Sequence, residues 1–400
     1  MDKKLIKYAA ILVGLIVLTV LFLLITNSIT GGTKYSYEQI ETKMVSAAKK
    51  YVENKKKNNI DILPDADGDS FTLSVATLVN EEYLKDLSEY TKDEVTCNGS
   101  VEIFNAGNKN YDYIPNLVCG KYYSTPIKLA EKVIQDNDSG VIQGSGLYQR
   151  VNGKFVTDYS DFTSGGSDSF EYVFRGDDVN NYVKIDDNLW RIVAIDESDN
   201  LLLIFNSHSL RAYSWDEKFN EDVKKSQGIN TYESNGLESN IYKKVREFYG
   251  ETIEIEDRVT YSPRVKTLIT PMDICAGKRN TTDSDVSGKS ECTVILENQL
   301  MGVLPAYYYM SASLDSNCDS IVSKSCGNYN YLSQFDDYWW LLTANSENTN
   351  EAFAISKKYA ESSLCNYRAD IRPIIKMGAR AIYSEGDGSL NNPYQVKYYE

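Results

Sequence analysis

Histidine is nearly missing, with one residue, His208, in 400. A catalytic triad needs an imidazole within reach of a nucleophile and an acid to orient it. His208, with Ser207 and Ser209 on either side, reads instead as structural or solvent-exposed. No two cysteines stand at C-x-x-C spacing, which together with the single imidazole argues against the common structural zinc sites. No G-x-G-x-x-G and no phosphate-loop string occurs, and no pair of carboxylates stands out as a glycosidase dyad. No catalytic residue, metal ligand or cofactor is therefore assigned, and the chain is read as non-enzymatic. Positive charge is scarce as well: 42 lysines and arginines face 57 acids, for a net charge of −15. Such a surface repels phosphate backbones and excludes nucleic acid as a partner.

What is present begins with "YAAILVGLIVLTVLFLLITNSI", Tyr8 to Ile29, which carries no charge. As a helix it spans about 33 Å, the thickness of a bilayer core. Lys3, Lys4 and Lys7 precede it, so residues 1–7 are expected in the cytoplasm and the rest outside. The run is longer than a signal-peptide core and lacks an A-x-A-like site. It therefore reads as a single-pass signal anchor over 8–29, with the bilayer as partner, and no lipid-accepting cysteine follows. Seven cysteines all lie in the predicted outer part. Their spacing suits local bridges, Cys97–Cys119, Cys275–Cys292 and Cys318–Cys326, with Cys365 left over. Other pairings, and seven free thiols, stay open at this level.

After Gly31-Gly32, Tyr37, Ile40, Met44, Ala47, Ala48 and Tyr51 form one helical stripe. "LPDADGDS" (63–70) alternates acids like a calcium loop. It has Ser70 and Ala76 where that loop needs glycine and glutamate, so it reads as an acidic turn. "SFTLSVATLV" alternates as a strand or leads into a short helix, "NEEYLKDLSEY" reads as a second helix, and "CNGSVEIFNAGNKNYDYIPNLVCGKYY" as a hairpin turning at 105–108. Residues 33–130 are thus a small α+β domain. Glycine, serine and aspartate crowd 131–169, which reads as a linker.

The remaining residues, 170–400, hold short strands. "YVKIDDNLWRIVAI" is a hairpin about 186–188, and "NLLLIF" follows it. Arg175-Gly176-Asp177 spells the integrin tripeptide, but a turn suffices to explain it. Trp339 and Trp340 must point to opposite faces of a strand, and Leu341-Leu342 repeats the pattern, so "WWLL" predicts a central strand covered on both sides. Arg372 is expected to stack on an indole or to pair with Asp336 or Asp370. Three consecutive rings, Tyr307, Tyr308 and Tyr309, are the candidate ligand platform.

The apolar helix, amphipathic extension and small sheet resemble the type IV pilin and pseudopilin plan, without its glutamate in the apolar helix. The order of W-R-I, G-V-L, tyrosine turn, W-W-L-L-T, I-R-P-I-I and G-D-G-x-x-x-N-P-Y motifs over 170–398 resembles a bacterial surface domain. That domain is similar to the C-type-lectin-like fold shared with formylglycine-generating, sulfatase-modifying enzymes. The resemblance implies a C-type-lectin-like mixed α+β domain with antiparallel strands. It carries no catalysis over, since neither the reactive cysteine pair of those enzymes nor the E-P-N, Q-P-D or W-N-D strings of calcium-dependent lectins occur here. The expectation is an α+β protein at a bacterial cell surface that binds an extracellular glycan, cell-wall component or protein. The alternatives are a pseudopilin-like structural component and an extracellular enzyme on the same scaffold.

Overall fold

A computed structural model describes residues 34–397, apart from 67–68, 92–94, 108–109, 121, 125, 138–143, 157–169, 208–211, 219–227, 250–265, 267 and 336. The chain forms two compact units, one ending at Pro126 and one over Ile127–Lys397. Taken together the described residues are built mainly of strands, which corrects the α+β expectation. The cause is visible in the second unit, where segments too short to classify one by one join a ten-stranded sheet. The anchor expected over 8–29 lies outside the described residues, as does His208. Among the described residues no helix is long and apolar enough to cross a membrane.

In the first unit the helix Tyr37–Lys57 opens on a capping box. The Ser36 hydroxyl accepts from the Gln39 amide, and the Gln39 side chain accepts from the Ser36 amide. Its stripe, Ile40, Met44, Val45 and Ala48, packs on Leu73, Val101, Ile103 and Leu117 of a four-stranded sheet. Ser70–Ser74 is a strand that passes directly into the helix Val75–Asn80. The second helix expected beyond it is only a 3-10 turn, Leu87–Tyr90. The hairpin pairs Cys97–Gly107 with Asn110–Cys119, and its register sets Cys97 directly opposite Cys119.

The second unit starts earlier than its sequence suggests. Part of the expected linker is the helix Leu129–Asn137 and the strands Gly146–Val151 and Lys154–Phe155. "GLYQRV" sits between two stretches rich in glycine, serine and aspartate, and it pairs along its length with Phe170–Arg175. The sheet continues from Phe170–Arg175 through Asn188–Asp196, Leu201–Phe205 and Pro373–Met377 to Ile269–Thr270. A second sheet holds Lys278–Arg279, Trp339–Asn345, Glu351–Ser356 and Tyr359–Leu364 in that order. Every residue of Trp339–Asn345 is buried. Trp340 meets Trp215 at 5.6 Å and Trp339 meets Phe335 at 5.9 Å, each ring pair edge to face. The tryptophan pair is therefore core.

Disulfides join Cys97 to Cys119, Cys275 to Cys292 and Cys318 to Cys326. Cys365 is free and buried. Arg175 turns its guanidinium inward, 4.0 Å from the Phe155 ring, and donates to the Ser311 and Ser313 carbonyls. The integrin tripeptide is thus not presented. Arg372 lies 3.7 Å over Phe335 and 6.0 Å from the Trp339 ring, and it pairs with Asp337; of the two acids expected to pair with it, Asp370 adds its charge nearby and Asp336 lies outside the described residues.

Candidate functional site

The tyrosine run is not an exposed platform. Ala306–Ser311 is a helix in which Tyr307 and Tyr309 are buried and Tyr308 is half-buried. Its first amides are capped from a distance. The Ala306 N–H donates to the Thr343 hydroxyl at 2.9 Å, and the Tyr307 N–H to Glu291 Oε1 at 3.2 Å. The sequence suggests a turn because Pro305 interrupts and no local cap follows; tertiary acceptors supply what the sequence lacks. The Tyr309 hydroxyl reaches the Lys358 carbonyl at 2.9 Å and is spent on structure. Burial pushes all three phenols up, so they stay protonated.

Tyr307 and Tyr308 instead wall a pocket of about 110 Å³ over the main sheet. Strand register explains its floor. Ala194 lies opposite Leu202, and Leu202 opposite Lys376. Glu171 lies opposite Asp196, two positions along from Ala194. Directly opposed residues, and residues two apart on one strand, share a face. Glu171, Asp196, Ala194, Leu202 and Lys376 therefore project into the same space. The strand Met272–Cys275 forms the other wall, fixed through the Cys275–Cys292 bridge.

Each charge on the floor is held in place. Arg150, 1% exposed, lies behind the wall and grips Glu171 with Nε at 3.0 Å and with its NH2 group. The Tyr308 hydroxyl donates to the other Glu171 oxygen at 3.0 Å. Lys376 pairs with Asp196 at 2.7 Å, and Asn200 donates to both Asp196 oxygens. Burial alone would raise the Asp196 carboxyl; the bonds from Lys376 and Asn200 outweigh it and hold the group below the usual carboxylate range. Asp196 is thus a fixed anion, and Tyr307 and Tyr308 are neutral phenols. Such groups supply hydrogen bonds and charge rather than exchanging protons near neutral pH.

Of the residues singled out in the sequence, Tyr307, Tyr308 and Cys275 reach this pocket. Cys97 and Cys119 belong to the first unit, while Tyr309 and Cys365 are buried elsewhere. Glu171, Asp196, Asp273 and Lys376 escaped notice. For Glu171, Asp196 and Lys376 the signal is a charged residue on the covered face of a strand, legible only once the strands are paired; Asp273 is exposed and gives no such signal.

Gly288 supports the wall from outside. Its φ is +85°, and a Cβ there would meet the Tyr307 ring at 3.1 Å. Gly288→Ala should cost about 1–2 kcal/mol from the left-handed backbone alone. It should also displace Tyr307, which a shift in that ring's NMR resonances would report. Among the described residues no group of three or more acidic, cysteine or histidine side chains is placed to hold a metal ion. No family model, no curated protein and no solved structure matches this chain, so the pocket's chemistry rests on its own geometry.

Proposed function

We propose that the protein is an extracellular recognition protein that binds a small polar ligand, a glycan or a cell-wall fragment, without transforming it. The observation that carries this reading is the pocket beneath Tyr307 and Tyr308, whose carboxylates and phenols are pinned before any ligand arrives. Pre-set polar groups beside an apolar wall of Met272, Ile274 and Ile374 suit a ligand with hydroxyls on its edges and C–H groups on its faces. Three disulfides support a location in an oxidising compartment. The uncharged stretch 8–29 supports a place at the cell membrane.

The test is ligand-observed NMR on the full chain with monosaccharides and soluble cell-wall fragments. Tyr308→Phe removes one hydroxyl and Lys376→Met one ammonium, and each should weaken binding roughly tenfold, the worth of one hydrogen bond to a charged group. Binding that both variants leave unchanged would move recognition away from this pocket.

A further inference from the structure

We infer that the Cys275–Cys292 disulfide is a redox switch on this pocket: an external dithiol opens it before the other two bridges and frees the pocket wall. The inference rests on the ligand-binding reading and adds its regulation. In each of the other bridges one cysteine is wholly buried, Cys119 in the first unit and Cys326 in the second. Cys275 and Cys292 are both half-buried, and Cys275 lines the pocket. Exchange requires a thiolate to reach one sulfur while the other departs as a thiolate. A wholly buried cysteine cannot be reached, and attack on its partner would expel charge into apolar surroundings that disfavour it. Neither cysteine of the Cys275–Cys292 bridge is so enclosed. In the exchange the dithiol's first thiolate bonds one cysteine sulfur and expels the other. Its second thiol then displaces the remaining cysteine, so two electrons and two protons pass to the protein and the reductant leaves as a disulfide.

Strand pairing shows what the bridge holds. Among the described residues Met272–Cys275 pairs with Ile295–Gln299 alone, in a two-stranded ribbon outside both larger sheets. Ile295, Glu297 and Asn298 of that partner strand are exposed, so it gives the wall little backing. The bridge ties the Cys275 end to the neighbour of Glu291, whose carboxylate is locked by Arg279. With the bridge open, that end keeps the Ile295 pairing and two amide bonds, Ala276 to the Val294 carbonyl and Gly277 to the Glu291 carbonyl. Met272 and Ile274 stay anchored by burial, so the wall shifts without unfolding. If the freed wall keeps its place about one-tenth of the time, affinity falls about tenfold. By reciprocity, saturating ligand then lowers the bridge's reduction potential by about 30 mV.

The experiment equilibrates the full chain in dithiothreitol redox buffers, alkylates the free thiols and maps the labelled peptides by mass spectrometry. Cys275 and Cys292 should label at a less reducing poise than Cys97, Cys119, Cys318 and Cys326. The Ile274 methyl and Tyr307 ring resonances should shift at that same poise with no ligand present. Cys275→Ser with Cys292→Ser should show the shifted resonances at every poise. Another bridge labelling first, or a wall that does not move when this one opens, would overturn the switch. Monosaccharides and soluble cell-wall fragments are then titrated into both forms, and the reduced form should bind about tenfold more weakly. Equal affinity would overturn the switch and leave the recognition reading standing. No binding to either form would overturn the recognition reading, while the order of labelling and the wall shift still decide the switch.

Discussion

Glu291→Gln should destabilise the second unit by about 3 kcal/mol, the low end of the cost of breaking a buried pair, because Asp283 and Asp285 still stand 3.9 and 4.0 Å from the Arg279 guanidinium. Arg279 and Glu291 are both fully covered, and they meet in a fork: Nε to Oε1 at 3.0 Å and Nη2 to Oε2 at 2.9 Å. The guanidinium also donates to the Asp283 and Asp285 carbonyls, so it fixes the loop that leads into Glu291. Glu291 in turn accepts the Tyr307 amide and sits next to Cys292. One side chain therefore ties the tyrosine helix to the disulfide that steadies the opposite wall. Urea unfolding, followed by the near-ultraviolet signal of the second unit, measures the loss. The paired variant Arg279→Met with Glu291→Leu should recover most of it, since apolar groups of similar size often replace such a pair without penalty. A single variant as stable as wild type would mean that Arg279 finds compensation elsewhere.

Trp340→Ala should cost about 3–5 kcal/mol, the range for removing a large aromatic side chain from a packed core. Trp340 is wholly buried against Trp215 and Tyr338, and its indole N–H donates to the Tyr213 carbonyl at 2.8 Å. Trp340→Phe separates the two contributions. It keeps most of the volume but strands the Tyr213 carbonyl, for about 1–3 kcal/mol. Thermal unfolding by calorimetry should rank wild type above Phe above Ala. An alanine variant within about 1 kcal/mol of wild type would show that the strand is not the shared wall of two packed faces.

How much of this was readable beforehand depends on how local each signal is. The Cys97–Cys119 hairpin declares itself through alternation on both arms and a polar turn between them, all within one short stretch. The tryptophan strand does so through two apolar faces in four residues. The α+β assignment failed because helix period is strong in Tyr37–Lys57, whereas many strands are two residues long and exist only through their neighbours. The tyrosine helix was missed because Glu291 and Thr343, which hold its first turn, lie outside any local window. Of the pocket, the aromatic wall was visible and the charged floor was not. Glu171, Asp196 and Lys376 come from three strands separated by up to 205 positions in the chain, and nothing in one dimension brings them together.

That floor also makes the pocket a proofreader of assembly. Glu171, Asp196, Leu202 and Lys376 share a side only while every intervening strand is correctly aligned. Sliding any one of them by a single residue would carry its contribution to the far side of the sheet and pull a chain neighbour of different chemistry or shape into its place. A molecule that can hold ligand here has therefore, by that act alone, certified the alignment of its central strands.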